Sequence, residues 1–193
     1  MKILVLFAHP CGESFGAALH KGVVETLRQR GHEVDDCDLY AEGFDPVLSA
    51  KERRDYHDSA SNTLPVADHV VRLRWAQALV LVFPVWNYGF PAILKGYFDR
   101  VFLPGVSFDI VDGKAQGGLR NIGRLAAITS YGGTRLTAFL AGDPPRRIVM
   151  RALRGTMRPG ARFTYLAHYD MNRSTAESRT AFEAKVTSTL RMW

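Results

Sequence analysis

The 193-residue chain contains only two cysteines, Cys11 and Cys37, which are too few for a disulfide framework. Long apolar runs are absent as well, since no segment approaches the roughly 20 apolar residues that span a bilayer. The opening "MKILVLFAHP" has one positive charge, a short apolar run and no small-residue cleavage signature, unlike a signal peptide. These absences predict a cytoplasmic protein with reduced thiols and no stable membrane insertion.

Excess charge and metal-ligand clusters are also scarce. The chain has 25 Lys and Arg against 19 Asp and Glu, a net charge of +6, and 47% hydrophobic residues, as in ordinary globular domains. The six histidines form no cluster with ligand spacing, which predicts no metal site. The basic residues lack interleaved aromatic side chains and any reader motif, which argues against a nucleic-acid partner.

Five apolar segments alternate with helical patterns along the chain. Strands are predicted in "KILVLFA", "HEVDDCDLY", "ALVLVF", "IGRLAAITS" and "ARFTYLAHY", and no linker or repeat interrupts residues 1–193. Helices are predicted in "FGAALHKGVVETLRQRG", from Pro65 to Gln77, in "PAILKGYFDRVF" and at the C-terminus. Capping-box spacing is present at Ser49 and Glu52 and, before the C-terminal helix, at Ser174 and Glu177. A small hairpin is predicted in "GVSFDIVDGKAQGG". The alternation predicts a single α/β domain with a doubly wound parallel sheet.

Three unusual loops, "HPCGESFG", "PVWNYGFP" and "SYGGTR", follow the first, third and fourth strands. Ligands of such sheets bind beyond the carboxyl ends of the strands. Ser14 lies at a helix start, where free amides bind anions, although a helix cap alone would also explain it. Two prolines stiffen the second loop, Gly89 permits an unusual dihedral angle, and the rings of Trp86 and Tyr88 project from it. With the close backbone approach that the two glycines of the third loop allow, the loops suit a flat aromatic cofactor.

The segment "FPVWNYGFPAILKGYFDRVF" resembles the hallmark segment of the NAD(P)H:quinone oxidoreductases, which are flavoenzymes with a flavodoxin-like fold. The loop "AHPCGESF" is similar to their H-P-x-x-x-S-F loop, and "ITSYGG" to their I-T-T-G-G loop. The resemblance covers nearly the whole chain in the same order. The length and the region "GDPPRRIVMRALRG" are most similar to the shorter bacterial members.

The resemblance implies a flavodoxin-like five-stranded parallel sheet of order 2-1-3-4-5, with helices on both faces. It also implies a bound flavin, with FAD favoured and FMN possible. The residues that match the family's cofactor contacts are His9, Ser14, Phe15, Pro84, Val85, Trp86, Asn87, Tyr88, Thr129, Ser130, Gly132 and Gly133.

The same resemblance implies a reaction. NAD(P)H would deliver a hydride to flavin N5 and leave, and the same pocket would then admit a quinone or similar acceptor, in a ping-pong sequence. No dedicated acid–base residue is expected, and Tyr131 and Phe108 are candidate pocket residues. The family's dimers imply a homodimer with shared sites, and the apolar surplus of "AILKGYFDRVFLPG" favours an interface.

Two other functions remain open. One is a flavodoxin-like electron carrier without turnover of its own, although flavodoxins are usually acidic and this chain is basic. The other is a regulatory oxidoreductase subunit of a membrane potassium-efflux system, a role filled by a related short oxidoreductase.

An arginine row follows the glycine loop. Arg147, Arg151, Arg154 and Arg158 have spacings of four, three and four, so a helix would place them on one face. A solvated face is one interpretation. The other is that the row borders the cofactor opening and binds the 2′-phosphate of NADPH, which predicts a preference for NADPH over NADH.

Overall fold

The computed structural model describes all 193 residues of the chain. The strands are β1 (Lys2–Phe7), β2 (Glu33–Asp38), β3 (Ala78–Val85), β4 (Phe108–Val111), β5 (Lys114–Gly117), β6 (Arg124–Tyr131) and β7 (Arg162–His168). The α-helices are α1 (Phe15–Gln29), α2 (Ala50–Asp55), α3 (Ala67–Trp75), α4 (Ala92–Val101), α5 (Arg135–Leu140), α6 (Pro144–Arg147) and α7 (Ala176–Leu190). Short 3₁₀ segments cover Leu64–Val66 and Met171–Arg173, and a π-helical segment covers Ile148–Leu153.

Five strands form one parallel sheet in the order β2-β1-β3-β6-β7. The strands β1 and β3 are apolar almost throughout because helices cover both of their faces. The chain order reverses direction between β1 and β3, so the loops that follow these strands diverge and leave a crevice at the carboxyl edge of the sheet. The strands β4 and β5 form the predicted hairpin outside this sheet.

Alternating side chains of the strands supply two core layers. Leu4 and Leu79 point to the layer that contains buried residues of α3 and α4, whereas Val5 and Val80 point to the layer shared with α1 and α7. This period-two division of a wholly apolar strand is what a sheet covered on both faces requires.

Helix α4 is packed within the chain on more faces than the sequence predicted. Its side chains Ile93, Leu94, Tyr97, Phe98 and Val101 are all buried. The apolar surplus that favoured an interface is therefore consumed by the protein's own core, and that argument was wrong. Three exposed apolar side chains lie together on α5, where 66%, 71% and 73% of the surfaces of Leu136, Phe139 and Leu140 are accessible.

A glycine in the hallmark segment has a packing role. A Cβ atom at Gly96 would lie 2.2 Å from the carbonyl oxygen of Pro46, in the loop before α2. Only glycine allows α4 and this loop to approach so closely. The "KGYF" part of the segment thus maintains the fold, whereas the cavity described below is lined from the "FPVWNYG" part.

The helix ends confirm one predicted cap and correct another. Ser49 and Glu52 form the capping box that starts α2. At α7 the capping box uses Thr175 and Ser178, one residue beyond the predicted pair, because Ser174 ends the preceding 3₁₀ segment. The predicted helix from Pro65 begins as a 3₁₀ turn before α3.

None of the helices combines the length with the apolar composition that a membrane crossing requires.

Candidate active site at the carboxyl edge of the sheet

A cavity of about 280 Å³ lies beyond the carboxyl ends of β1, β3 and β6. Each of the three predicted loops contributes to its wall, and so does the loop after β7. The residues that line it are His9, Ser14, Phe15, Gly16, Pro84, Val85, Trp86, Ser130, Gly132, Met171 and Asn172.

The first wall is the start of α1. The Ser14 hydroxyl accepts a hydrogen bond of 3.1 Å from the amide of Ala17, as an N-cap does. The amides of Phe15 and Gly16 donate to no acceptor in the chain. Because the positive end of a 15-residue helix dipole adds to these free donors, this wall favours a bound anion. Ser14 therefore caps the helix and also borders the cavity.

His9 stands against this wall. Its Nδ1 accepts a hydrogen bond of 3.0 Å from the amide of Cys11, so the neutral ring carries its proton on Nε2. Burial lowers the pKa of His9 below its ordinary value, and the nearby Glu13 only partly opposes this shift. His9 thus offers a neutral N–H donor at neutral pH, and its ring meets the Trp86 ring edge-on at 5.6 Å.

The second wall is a tight turn with strained backbone. Trp86 and Gly89 are joined by two backbone hydrogen bonds, of 2.8 and 3.2 Å, and the two residues between them have φ of 48° and 57°. These residues are Asn87 and Tyr88, and positive φ at both central positions is the pattern of a type I′ turn. The sequence assigned the unusual dihedral angle to Gly89, and that was wrong. A bulky residue such as Tyr88 adopts this conformation only where its surroundings enforce it.

The third wall is the glycine pair after β6. Neither Gly132 nor Gly133 has a positive φ, so backbone freedom does not require glycine here. A Cβ atom at Gly132 would lie 3.4 Å from the Asn172 side chain, and one at Gly133 would lie 2.8 Å from the Thr137 hydroxyl. The amides of both glycines have no acceptor within the chain.

The cavity brings together eight of the twelve predicted cofactor contacts and omits four. Asn87 and Tyr88 lie at the tip of the turn, beyond the lining, and Tyr88 is 45% exposed. Thr129 points into the core with a buried hydroxyl that has no partner. Gly133 lies just outside the lining.

Three lining residues escaped the sequence prediction as contacts: Gly16, Met171 and Asn172. The latter two follow β7, in a loop that begins at Asp170 with φ of 62°. The rule that led to the other three loops applies equally to the end of the fifth strand, and "HYDMNRS" was the available signal.

The two candidate pocket residues lie outside the cavity. Phe108 is in the β4–β5 hairpin, whose Gly117 packs against the backbone of Thr156. Tyr131 is buried, and its hydroxyl lies 2.5 Å from Asp143 Oδ1 and 2.6 Å from the Tyr165 hydroxyl. Burial raises the pKa of Tyr131 well above its usual range, so it is a neutral donor that anchors Asp143. Within one chain, neither ring reaches the cavity.

The arginine row does not keep one face. The π-helical segment Ile148–Leu153 widens the turn, and Arg154 donates its Nε proton to the carbonyl of Ala161. The segment that contains the row crosses the protein. It begins beside Asp143 at the carboxyl edge and ends at Arg158, whose guanidinium lies against Gly123 at the opposite edge. None of the four arginines lines the cavity, and Arg147 and Arg151 line a separate hollow beside α5.

The fold assembles a group that the spacing of histidines did not reveal. Potential ligand atoms of Cys37, Glu42 and His69 lie within 4.8 Å of one another. Arg72 already binds Glu42 at 2.7 Å, and burial raises the pKa of the Cys37 thiol well above its usual value. A guanidinium beside a protonated thiol disfavours a cation.

A protein-family model described as "Flavodoxin-like fold" matches residues 1–185. The chain belongs to this flavodoxin-like family. Its sheet has the predicted strand order, which is 2-1-3-4-5 when the five parallel strands are numbered alone, so the predicted fold class is confirmed.

Relatives of this flavodoxin-like chain confirm the resemblance to quinone oxidoreductases. Rat NAD(P)H dehydrogenase (quinone) 1 is 30% identical over 147 residues, which are 68% of this chain and 54% of the rat protein. An uncharacterized NAD(P)H oxidoreductase of Haemophilus influenzae is 36% identical over 122 residues, covering 63% and 60% of the two chains. The chain spans about half the length of the curated relatives it matches.

Solved structures match along the whole chain. Smu.1420 from Streptococcus mutans superimposes with a TM-score of 0.85 at 29% identity and 100% coverage of both chains. The NAD(P)H:quinone oxidoreductase of Methanothermobacter marburgensis has a TM-score of 0.82 at 26% identity, covering 99% of this chain and 96% of that one.

Proposed function

We propose that residues 1–193 act as one flavin-binding domain of an NAD(P)H oxidoreductase that reduces quinones by two electrons. The observation that carries this proposal is the cavity at the carboxyl edge, which joins free amides at a helix start to a rigid aromatic turn and a glycine wall. The names of the relatives and of the Methanothermobacter structure support the reaction class.

The walls fit the two ends of a flavin. The free amides of Phe15 and Gly16 would hold the phosphate, with the neutral N–H donor of His9 beside them. The Trp86 ring and the backbone of Gly132 would border the isoalloxazine ring. Asn87, Tyr88 and Gly133 would contact it from the rim of the cavity, while the buried Thr129 would support the glycine wall from behind.

A bound flavin would supply the redox chemistry by accepting a hydride from NAD(P)H and passing two electrons to an acceptor. The chain contributes position and electrostatics. Four backbone amides of the second and third loops have no acceptor within the protein, namely those of Asn87, Tyr88, Gly132 and Gly133. They are available to stabilise negative charge on a ring held between the two loops. His9 is the one ionisable side chain in the lining, which agrees with a hydride step that needs no dedicated acid or base.

Steady-state oxidation of NADPH and NADH with menadione tests the reaction. Parallel lines in double-reciprocal plots are expected, because donor and acceptor would use one pocket in turn. A stably bound flavin without turnover would contradict the enzyme and favour the electron carrier. Flavin reduced by NAD(P)H but unable to pass electrons to quinones, azo dyes or nitro compounds would contradict the acceptor class.

A second copy of the chain would complete the site. The exposed apolar residues Leu136, Phe139 and Leu140 lie on α5, which follows the glycine wall directly, and they offer an interface at the edge of the cavity. In that arrangement Phe108 would reach the cavity of the partner rather than its own. Sedimentation is expected to give a dimer at micromolar concentration, and a fully active monomer would refute shared sites.

Selection of NADPH would depend on the start of the arginine row. A hollow of about 190 Å³ beside α5 is lined by Arg146, Arg147 and Arg151, with Asp143 held by Tyr131. A guanidinium can bind the 2′-phosphate with two parallel hydrogen bonds.

The form of the flavin, with FAD favoured over FMN, and the cytoplasmic location stay predictions.

A further inference from the structure

The amino edge of the sheet carries a second concave surface, far from the flavin cavity. Two adjoining hollows of about 380 and 420 Å³ share Arg158 and Gly160, and we call them together the arginine cleft. The strand β6 runs from this edge to the other through eight residues, which separates the two surfaces by roughly 23 Å. The arginines that line the cleft are Arg120, Arg124, Arg151, Arg154, Arg158 and Arg162.

The positive charge of the cleft is uncompensated. No Asp or Glu lines either hollow, and none of the six arginines takes part in a salt bridge. By contrast, Arg72 and Arg100, elsewhere in the fold, bind two carboxylates each. Arg124 and Arg162 are direct neighbours on the parallel strands β6 and β7, a placement of like charges that costs stability. An anion in the cleft would relieve this repulsion.

The backbone around Arg158 is shaped for its guanidinium. A Cβ atom at Gly123 would lie 2.3 Å from Nη2 of Arg158, so the side chain rests on a surface that only glycine provides. Gly123 is itself fixed, since its amide donates to Gln77 and its carbonyl accepts from the amide of Arg162. Gly160, with φ of 78°, makes the turn that returns the chain from Arg158 to strand β7. Arg158 is thereby placed at the junction of the two hollows.

We propose that the arginine cleft binds an oligophosphate, a small molecule with two or more phosphate groups in series. A guanidinium group can donate two parallel hydrogen bonds to phosphate oxygens. The hollows on the two sides of Arg158 could each hold one phosphate group of the same molecule. No aromatic side chain lines the cleft, so it lacks the stacking platform by which proteins hold single-stranded nucleic acids. The cleft shares no residue with the flavin cavity, and it shares only Met150 and Arg151 with the hollow beside α5.

Calorimetric titration of the full-length protein with inorganic tripolyphosphate at physiological salt tests the proposal. Saturable binding of one molecule per chain is expected, about tenfold weaker in Arg158→Gln and about a hundredfold weaker when Arg124→Gln is added. The control is Arg54→Gln, which removes the same charge from an exposed arginine with no hydrogen bond or salt bridge.

A second variant separates placement from net charge. Gly123→Ala keeps all six arginines and displaces only the flexible end of Arg158, so the protein should fold and bind tripolyphosphate several-fold more weakly. Circular dichroism and retained flavin check the fold. The proposal fails if tripolyphosphate does not saturate, if orthophosphate binds equally well, or if Arg54→Gln weakens binding as much as Arg158→Gln. It also fails if a short single-stranded oligonucleotide binds as tightly as tripolyphosphate.

Discussion

The two anion sites that we propose at opposite edges of the central sheet differ in their donor groups. At the carboxyl edge, free backbone amides and a neutral histidine form the anion-binding wall, and its only ionisable side chain is His9. At the amino edge, six guanidinium groups surround two hollows without a carboxylate. Backbone donors are fixed by the fold and remain effective against a buried, planar cofactor. Guanidinium groups on an open surface are mobile and screened by salt, so they suit a ligand that binds reversibly and more weakly as the salt concentration rises.

The connection between β6 and β7 explains why the arginine row does not stay at one edge of the sheet. The connection between β6 and β7 must cross the whole sheet, because parallel strands start at the same edge. Its first arginines therefore lie toward the carboxyl edge and its last lie at the opposite edge. A charged segment that follows a cofactor loop is not evidence that the whole segment faces the cofactor.

The largest expected effect comes from filling the glycine wall. In Gly132→Val the added Cβ atom would lie 3.4 Å from the Asn172 side chain, and two methyl groups would extend beyond it, so the cavity should close. We expect a folded, colourless protein with flavin affinity lowered by more than about a hundredfold, the equivalent of roughly 3 kcal/mol. The matched control, Gly22→Val, adds the same atoms to open space on α1. A yellow, active Gly132→Val variant would refute the glycine wall as a cofactor contact.

A comparison of arginines from the two edges would sharpen the contrast. Arg147→Ala should lower the NADPH:NADH ratio of kcat/KM by about tenfold, since one charge-assisted contact to the 2′-phosphate is lost. Arg158→Ala, at the amino edge, should leave this ratio unchanged. Equal effects of the two substitutions would mean that net charge, and not a placed guanidinium, attracts the nucleotide. A wild type without preference would remove the NADPH contact altogether.

A smaller effect is expected at the start of α1. Ser14→Ala removes the hydroxyl that caps α1 by accepting a hydrogen bond from the amide of Ala17. This loss should lower the free energy of unfolding by about 1 kcal/mol. Ser49→Ala removes the corresponding cap of α2, far from the cavity, and should cost a similar amount. Denaturant unfolding measures both changes. Flavin titration should show weaker binding in Ser14→Ala alone, and equal affinity in both variants would mean that the helix start does not hold the phosphate.

The smallest expected effect is the dependence of stability on pH at His9. Because burial lowers its pKa below the ordinary 6.5, the unfolded chain takes up a proton at higher pH than the folded protein. The stability contributed by neutral His9 is present above pH 6.5 and is lost as the pH falls through the lower folded value. His9→Asn should flatten this decline in denaturant titrations, leaving the part due to His32 and His69, whose pKa values burial also lowers. An unchanged profile would contradict a half-buried, neutral His9.

The sequence predicted the sheet well because its information is local and repeated. The apolar runs of β1 and β3, the helix patterns and the loops at strand ends together allow one architecture. Within the site, it could not predict that Asn87 and Tyr88 take the left-handed conformation, because the turn is held by backbone hydrogen bonds between Trp86 and Gly89. Nor could it separate the buried Thr129 from the lining Ser130, since that depends on which core layer each side chain meets.

The absorption spectrum of the purified protein, followed by acid release and chromatography of its cofactor, tests the central claim most directly. We predict the bands of oxidised flavin at one flavin per chain, bleached by NAD(P)H without oxygen, with the released compound identified as FAD or FMN. A colourless protein that neither retains nor binds added FAD or FMN would contradict the assignment of the carboxyl-edge cavity as a flavin site.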